Sequence, residues 1–375
     1  MTHRESTPAP VADDLRRAYA GKRVFLTGHT GFKGGWLTLW LAELGARVTG
    51  YARAPDTEPA LFEAAGIGRA CESILADIRD PERLRAAVRD ARPDFVFHLA
   101  AQPLVRRSYE APVETVATNV LGTAHLLDAL RRLSHPCATV VVTSDKCYEN
   151  REWTWGYRED EPMGGHDVYS MSKGAAELVV ASFRRSFFPP RRLAEHGVGL
   201  ASARAGNVVG GGDWARDRIV PDAVTALAAG RAVPVRNPAA VRPWQHVLEP
   251  LGGYLLLGAR LAGVGTDAPA SFCEAWNFGP RTEDARPVRA VVEAIIDAWG
   301  GGGWDDRHDP AAPHEAGILR LSTEKAQARL GWQPRWPFEK TFRQTAEWYR
   351  AFYDGLRGEG LAALCRRQIH EYLES

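Results

Sequence analysis

The chain has 375 residues, of which 45% are hydrophobic and 25% are charged, a composition typical of a soluble globular protein with a sizeable core. Its formal net charge is only +1, so no overall field favours nucleic acid or an anionic membrane, and we predict neither as a partner. The sequence has no apolar run of about 18 residues, no signal-peptide core and no C-x-x-C pair among its five cysteines, so we expect a reduced, cytoplasmic compartment and no metal site.

Short apolar segments alternate with helical patterns in the first half of the chain. After a leader over residues 1–20 that we expect to be flexible, strands are predicted in "KRVFLTG", "ARVTGYAR", "DFVFHLAAQ", "ATVVVTS" and "GVGLASARAGNV". Helices are predicted over residues 34–45, 81–91, 115–133 and 168–187. Strands that alternate with helices indicate βαβ units, so we predict an α/β fold with a Rossmann-like, doubly wound parallel sheet.

The regular alternation weakens beyond Asn207, where loop-rich stretches such as "GGGDW" and "GWQPRWP" separate shorter elements. We therefore predict a Rossmann-like first domain over residues 21–206 and a smaller, irregular α/β lobe over residues 207–350. The chain is expected to return to the first domain around residues 235–262, so that the two parts are interleaved. Residues 351–375 are predicted to form a C-terminal helical tail.

A glycine-rich turn, "FLTGHTGFKGGWL", joins the first predicted strand to the first helix. Gly28, Gly31 and Gly34 let the backbone turn tightly and approach a pyrophosphate, whose charge is stabilised by free N–H groups at the helix N-terminus. The motif, with its members Thr27 and Phe32, therefore predicts a dinucleotide-binding site. Its spacing differs from the usual G-x-G-x-x-G, so its position between strand and helix is the stronger signal.

The second strand ends without the acidic residue that usually holds the adenosine ribose about 20 positions after the glycines. At this place the sequence reads Tyr51, Ala52 and Arg53. An arginine there can accept a 2′-phosphate, so the sequence leaves NADP open beside NAD. Asp77 and Ile78, in "ADIRD", are predicted to belong to the adenine pocket.

Tyr169 and Lys173, in "VYSMSK", are four residues apart and so share one face of a predicted helix. A nearby ammonium group stabilises a phenolate, so we expect Lys173 to lower the pKa of Tyr169 from its usual value near 10. A tyrosine activated in this way is a general base for a hydroxyl group whose carbon loses hydride. The pair therefore predicts an oxidation at an alcohol carbon.

With these motifs on one chain, the sequence resembles the extended short-chain dehydrogenase/reductase family and, within it, the CDP-glucose 4,6-dehydratases. The resemblance runs from about residue 21 to residue 349. It rests on "TGHTGFKGGWL", "HLAAQPLVRRSYE", "TSDKCYENREWTWGYRE", "EPMGG", "YSMSK", "RAGNVVGGGDW" and "RPWQHVLEP". The first and fifth of these mark the wider family, and the others narrow the resemblance to the dehydratase group.

The resemblance implies a hydro-lyase that converts CDP-D-glucose to CDP-4-dehydro-6-deoxy-D-glucose, a first step towards deoxy sugars such as those of lipopolysaccharide O-antigens. Hydride passes from carbon 4 to tightly bound NAD and returns to carbon 6 after water has left. The preference for cytosine rests on the resemblance alone. A dehydratase of dTDP-, GDP- or UDP-hexoses, a sugar-nucleotide 4-epimerase, a simple dehydrogenase and a non-catalytic NAD sensor stay open as alternatives.

An acid and a base stand side by side after the buried strand "ATVVVT". Two charges at such a place are costly unless something uses them, and expulsion of water needs an acid and a base besides Tyr169. We predict that Asp145 protonates the leaving hydroxyl group and that Lys146 removes the proton from carbon 5; the related dTDP-glucose enzymes carry glutamate at the second position. In the alternative, Lys146 stabilises an enolate and another group takes the proton. An epimerase has no need of such a pair.

The remaining site residues are implied by the resemblance. Ser144 corresponds to the active-site hydroxyl that binds the oxygen on carbon 4, and Asn119 to a residue near the nicotinamide end of the cofactor. Further cofactor contacts are implied for Leu99, Ala100 and Ala101, besides Tyr169 and Lys173. Substrate contacts are implied for Gln102, Arg106, Asn207, Arg242 (for the pyrophosphate) and His314 (a candidate for the second phosphate). The helices near 115–133 and 168–187 resemble a pair that forms a four-helix dimer interface, so a homodimer or a dimer of dimers is predicted.

Overall fold

The structure, a computed structural model, describes residues 9–307 and 319–375. The α-helices of this part of the chain are α1 (Ala9–Tyr19), α2 (Phe32–Glu43), α3 (Leu61–Ala64), α4 (Pro81–Ala91), α5 (Val105–Glu110), α6 (Pro112–Val116), α7 (Gly122–Leu130), α8 (Val168–Ser186), α9 (Leu193–His196), α10 (Ile219–Ala228), α11 (Leu248–Leu261), α12 (Val288–Trp299), α13 (Phe338–Tyr353) and α14 (Glu359–Glu374). The β-strands are β1 (Arg23–Thr27), β2 (Arg47–Ala52), β3 (Glu72–Leu75), β4 (Phe95–His98), β5 (Cys137–Val142), β6 (Val198–Arg204), β7 (Val208–Val209), β8 (Val233–Val235), β9 (Val241–Pro243), β10 (Gln245–His246), β11 (Ala275–Asn277), β12 (Ala285–Pro287) and β13 (Trp304–Asp306).

A parallel sheet in the order β11-β6-β5-β4-β1-β2-β3 forms the centre of the fold. Every residue of β4, β5 and β6 is buried, as expected for strands that are covered on both faces and therefore read as continuous apolar runs. The order reverses between β1 and β4, which creates a crevice at the carboxyl ends of the strands. The predicted fold class, a Rossmann-like, doubly wound α/β sheet, is confirmed.

Each face of the sheet has its own hydrophobic core. Val24 and Leu26 of β1 pack with α2, α11, α13 and α14 on one face. Phe25, between them, packs with α4, α7 and α8 on the other face, because successive side chains of a strand point to opposite sides. The predicted helix over 115–133 is interrupted: a π-helical turn, Ala117–Leu121, joins α6 to α7.

The prediction of a flexible leader over residues 1–20 is wrong for residues 9–19, which form α1. Leu15 and Tyr19 of this helix are buried, and the Tyr19 hydroxyl donates a hydrogen bond to the carbonyl of Leu255 in α11 at 2.7 Å. The helix packs on α11 and extends the first core. The apolar side of α1 is therefore held in place by contacts with residues far away in the sequence.

The C-terminal part also contributes to the main fold. The predicted helical tail contains α14, whose Ile369 is buried and whose Tyr372 ring lies 5.6 Å from that of Trp40 in α2. Within the predicted return at 235–262, α11 packs on β5 and β6. The strand that the second half adds to the main sheet, β11, lies outside that range. The domain boundaries themselves stay predictions.

Candidate active site

The site forms where the loops after β1 and β4 meet at the carboxyl edge of the sheet. The Thr27 hydroxyl oxygen accepts hydrogen bonds from the N–H groups of Leu99 and Ala100, each at 3.1 Å, and so ties the two loops together. Thr27 also hydrogen-bonds the His98 ring at 2.7 Å. These contacts place Leu99, Ala100 and the following Ala101 next to the glycine-rich turn.

Two of the three predicted glycines are required by close contacts. Gly28 has φ +82°, and a Cβ there would lie 2.8 Å from the amide nitrogen of Ala100. A Cβ on Gly34 would overlap the Gly28 carbonyl. Gly31 caps α2, and its Cβ would meet its nearest neighbour at an ordinary 3.5 Å. Because Gly28, Gly31 and Gly34 carry no side chains where α2 begins, the turn fits a dinucleotide pyrophosphate held by backbone N–H groups.

The predicted adenine end contains a cluster of exposed charges. The Asp77 carboxylate pairs with Arg79 at 2.6 Å, while its carbonyl accepts a hydrogen bond from the Tyr51 hydroxyl at 3.0 Å. Arg53 lies at the end of β2 and pairs with Glu114 at 3.4 Å. Asp77 is thus held by both its backbone and its side chain, and the neighbouring Ile78 is buried.

Asn119 and Gln102 form a buried hydrogen-bonded pair at the loop that follows β4. The Asn119 side chain bonds both backbone polar groups of Gln102, at 2.8 and 3.1 Å, and donates to the Ser172 hydroxyl of α8 at 2.9 Å. The Gln102 side-chain amide bonds Leu104 and Thr115 within the same region. Gln102 therefore shapes its own loop, and its contact with the substrate stays a prediction.

Tyr169 and Lys173 are buried on one face of α8, as predicted. Burial raises the pKa of Tyr169 to about 12, while a hydrogen bond with Ser144 and the charge of Arg218 act in the opposite direction. Burial also lowers the pKa of Lys173 to about 8. The expected lowering of the Tyr169 pKa by Lys173 is wrong for this structure, because desolvation of the phenolate outweighs the neighbouring cations.

The acid and the base follow β5 in a single 3-10 turn, Asp145–Cys147. Ser144 caps this turn: its oxygen accepts from the Lys146 N–H at 3.2 Å and its hydroxyl donates to the Asp145 carboxylate at 2.9 Å. The Asp145 side chain is only 3% exposed and accepts a hydrogen bond from Asn207 at 3.4 Å. Lys146 is partly exposed. The two neighbours in sequence therefore occupy different environments, as an acid and a base with separate roles require.

Two site residues were missed by sequence reasoning. Lys33 lies in the first turn of α2 beside the glycines, and burial together with Arg218 and Lys173 lowers the pKa of Lys33 to about 8. Arg218 bonds Asp213 at 2.6 Å and is one of the charges that act on Tyr169. The scarcity of lysine in an arginine-rich chain was a signal for Lys33, whereas nothing marked Arg218 among the many arginines.

The predicted phosphate side contains arginines on two paired strands. Arg242 of β9 lies directly opposite Arg286 of β12 in an antiparallel pair. The role of Arg242 in holding a phosphate stays a prediction. Arg106 is exposed and pairs with Asp217 at 3.0 Å, across from α5 to the loop before α10. The remaining prediction, His314, lies outside the described residues.

Residues 9–307 and 319–375 contain neither a metal-binding cluster nor a membrane-spanning helix. No group of three or more His, Cys, Asp or Glu side chains in this range is arranged to hold a metal ion. No helix there is long and apolar enough to cross a membrane. All five cysteines are free thiols.

The Rossmann-like sheet, the phosphate cradle at its switch point and the tyrosine and lysine on one helix face place the chain in the class of extended short-chain dehydrogenases/reductases. Within that class, it belongs to the GDP-mannose 4,6 dehydratase family, whose model matches residues 25–257. It is 51% identical over 361 residues to the CDP-glucose 4,6-dehydratase of Salmonella typhimurium. The aligned region covers 95% of this chain and 98% of that relative.

Solved structures show the same fold at low sequence identity. The UDP-glucose 4-epimerase of Thermotoga maritima matches with a TM-score of 0.74 and 20% identity. This match covers 88% of the present chain and 99% of the epimerase chain. The dTDP-glucose 4,6-dehydratase of Bacillus anthracis, solved with NAD, has a TM-score of 0.71 and 19% identity, and covers 90% and 99%.

Proposed function

We propose that this protein converts CDP-D-glucose to CDP-4-dehydro-6-deoxy-D-glucose, with tightly bound NAD. One observation supports the proposal: Ser144 donates a hydrogen bond to the Asp145 carboxylate at 2.9 Å and is also one of the groups that lower the pKa of Tyr169, so the groups for oxidation and for dehydration meet at one residue. An epimerase or a simple dehydrogenase expels no water and needs only the first group. The name of the Salmonella relative supports the choice of sugar nucleotide.

Tyr169 is the base of the first step and takes the proton from the hydroxyl group on carbon 4. Ser144 orients that hydroxyl, and Arg218 favours the phenolate against the opposing effect of burial. When bound, NAD supplies the acceptor for hydride from carbon 4 and the donor for carbon 6. The residues of the glycine-rich turn would hold its pyrophosphate, and Leu99, Ala100 and Ala101 after β4 would contact it.

The new carbonyl at carbon 4 acidifies the hydrogen on carbon 5. Lys146 removes this proton, and Asp145 gives a proton to the hydroxyl that leaves carbon 6 as water. Ser144 and Asn207 hold the Asp145 carboxyl group in place for this transfer. The variant Lys146→Met tests the assignment of the base. If Lys146 removes the proton, exchange of the carbon-5 hydrogen with solvent is lost, whereas exchange at the normal rate would rule out Lys146 as the base.

Arg242 is proposed to bind the diphosphate, with Arg286 opposite it and Asn207 on the sugar side. Guanidinium groups suit this task because they donate two parallel hydrogen bonds to phosphate oxygens. His314 stays a candidate for the second phosphate.

The substrate proposal is tested by supplying purified protein with CDP-, dTDP-, UDP- and GDP-linked hexoses. Formation of a 4-keto-6-deoxy sugar, seen by its absorbance after alkali treatment, is expected with CDP-glucose in preference to the others. Conversion of another nucleotide sugar would correct the nucleobase, and epimerisation without loss of water would replace the dehydratase proposal.

We also propose a homodimer, or a dimer of dimers, in a reduced cytoplasmic compartment. Val113, Leu121 and Leu178 are 80%, 51% and 61% exposed on the packed segments α6, Ala117–Leu121 and α8. Such an apolar surface is typical of an interface, and the free thiols suit a reducing environment.

A further inference from the structure

The turn that carries Asp145 and Lys146 is attached at both ends to one buried ion pair. Thr143 precedes the turn, and its hydroxyl donates to the Glu177 carboxylate at 2.5 Å. Tyr148 follows the turn, and its hydroxyl oxygen accepts from the Arg204 guanidinium at 2.6 Å. Arg204 and Glu177 pair at 2.9 Å, and each side chain is only 4% exposed.

The same ion pair is fixed to the helix that carries the oxidation machinery. Glu177 lies one helical turn beyond Lys173 and two beyond Tyr169, so the three share one face of α8. Arg204 is the last residue of β6. The pair therefore connects the helix of Tyr169, a central strand and the turn of Asp145.

Both members of the pair are held by further hydrogen bonds. The Ser202 hydroxyl donates to Glu177 at 2.7 Å, and Arg204 donates to the carbonyl of Glu159 at 3.0 Å. Burial raises the pKa of Glu177, but Arg204 and the two hydroxyl groups lower it by more, so the carboxylate stays ionised at neutral pH. The Tyr148 hydroxyl donates in turn to the Asn277 side chain of β11 at 2.8 Å.

A buried ion pair contributes little net stability, because removing two charges from water costs about as much as their attraction returns. Apolar side chains of similar size would stabilise the core equally well at this place. The feature that apolar side chains would not reproduce is the directed hydrogen bonding to Thr143 and Tyr148 on either side of the turn. The geometry therefore points to a role in orientation.

We propose that Glu177 and Arg204, acting through Thr143 and Tyr148, are positioning residues that fix the Asp145–Lys146 turn relative to Tyr169. The proposal rests on the dehydration proposed above, in which two sets of groups act on one sugar in succession. A displacement of about 1 Å between them costs roughly 100-fold in rate. Such a displacement would slow dehydration at carbons 5 and 6 more than oxidation at carbon 4.

The test variants are Thr143→Val and Tyr148→Phe, singly and together, which remove the links and leave the ion pair. Each has a matched control. Ser202→Ala removes another hydroxyl that donates to Glu177, but from the interior of β6. The ring of Tyr157 is stacked on that of Tyr148 at 5.2 Å, but its buried hydroxyl donates to the Asn150 side chain and not to the ion pair. Tyr157→Phe removes this hydroxyl.

Steady-state kinetics with CDP-glucose is the first readout. We expect the double test variant to lose about 10- to 100-fold in kcat with KM little changed, and to accumulate the absorbance of reduced cofactor because oxidation outruns dehydration. The control variants keep the wild-type kcat. Equal losses of kcat in test and control variants would overturn the proposal, as would unchanged kinetics in all of them.

Amide hydrogen exchange over residues 143–148 is the second readout and needs no substrate. Faster exchange in the test variants, with wild-type exchange in the controls, is expected; equal exchange in all variants would contradict the positioning role. If the wild-type protein does not convert CDP-glucose, the proposed function fails, and the exchange result still decides the positioning role. The single variants serve if the double variant does not fold.

Discussion

At the scale of single residues, the position of the acid depends on a glycine. The Asp145 carboxylate packs against Gly206, and a Cβ there would overlap the carboxylate atoms. Ser144 and Asn207 then supply hydrogen bonds from either side. Gly206 thus leaves room for the buried carboxyl group, and two polar neighbours orient it. An acid that protonates a leaving group needs such a fixed orientation.

The variant Gly206→Ala is expected to lower kcat for dehydration by about 10- to 100-fold, because the added methyl group displaces Asp145. Binding of the dinucleotide, measured by fluorescence titration, should stay close to wild type, since the three atoms nearest to the added methyl group all belong to Asp145. Gly303→Ala is the control, because a Cβ there has nothing within 4 Å. Wild-type kcat in Gly206→Ala would show that Asp145 does not set the rate of dehydration.

Sequence motifs predicted the residue types of the site but not which atoms are already bonded. Tyr169, Lys173 and Ser144 could be predicted because the motifs around them are specific. Gln102 could not be assigned, since its amide is used by its own loop and only the folded structure shows this. Arg218 was missed because electrostatic contact with Tyr169 arises between segments far apart in the chain.

Lys173 gives the stability of the protein without ligand a dependence on pH. Burial lowers its pKa from 10.5 to about 8, so between these values the unfolded chain binds more protons than the folded one. The free energy of unfolding therefore rises with pH in this window, by roughly 1–2 kcal/mol from about pH 7.5 to 9.5 for this residue. Chemical denaturation should show that the free energy of unfolding rises less over this pH range in Lys173→Met than in wild type. The control Lys22→Met, at an exposed position, should show the wild-type rise. An unchanged rise in Lys173→Met would contradict the burial of a charged amine.

At the scale of elements, α1 shows what local patterns miss. Its Arg16 and Arg17 face solvent, so the segment reads as polar, while Leu15 and Tyr19 dock on a helix more than 200 positions later in the chain. Helices with a longer apolar periodicity, such as α4 and α8, match their predicted ranges closely. The two- and three-residue strands of the second half, such as β7 and β10, carry too little local pattern to be predicted.

Leu15→Ala is expected to lower the free energy of unfolding by about 2–5 kcal/mol, because it leaves a cavity between α1 and the core. Thermal or chemical unfolding measures this loss. Arg16→Ala on the exposed side of the same helix should change stability by about 0.5 kcal/mol or less. Equal small effects in both variants would mean that α1 does not pack as the structure shows.

At the scale of the whole molecule, an apolar surface runs over the segments that end near the active site. Leu121 and Leu178 are more than half exposed, and both lie on elements that also supply Asn119 and Tyr169. A partner subunit on this surface would cover these side chains and stabilise the helix that carries the base. Association and activity are therefore expected to be linked.

Leu178→Glu is expected to shift the protein to monomers, because a carboxylate placed in an apolar interface must be desolvated. Light scattering measures the mass. Leu75→Glu is the matched control, since Leu75 is 52% exposed on the edge strand β3, away from α8. A wild-type protein that is already monomeric, or a Leu178→Glu variant of unchanged mass, would refute this interface.

CDP-glucose carrying deuterium at carbon 4 reveals whether oxidation and dehydration occur at one site with a borrowed hydride. We expect wild-type protein to yield a 4-keto-6-deoxy product with the deuterium on carbon 6 and a solvent hydrogen on carbon 5, as read by NMR. Deuterium retained on carbon 4 of an epimerised sugar, or released to the medium, would contradict it.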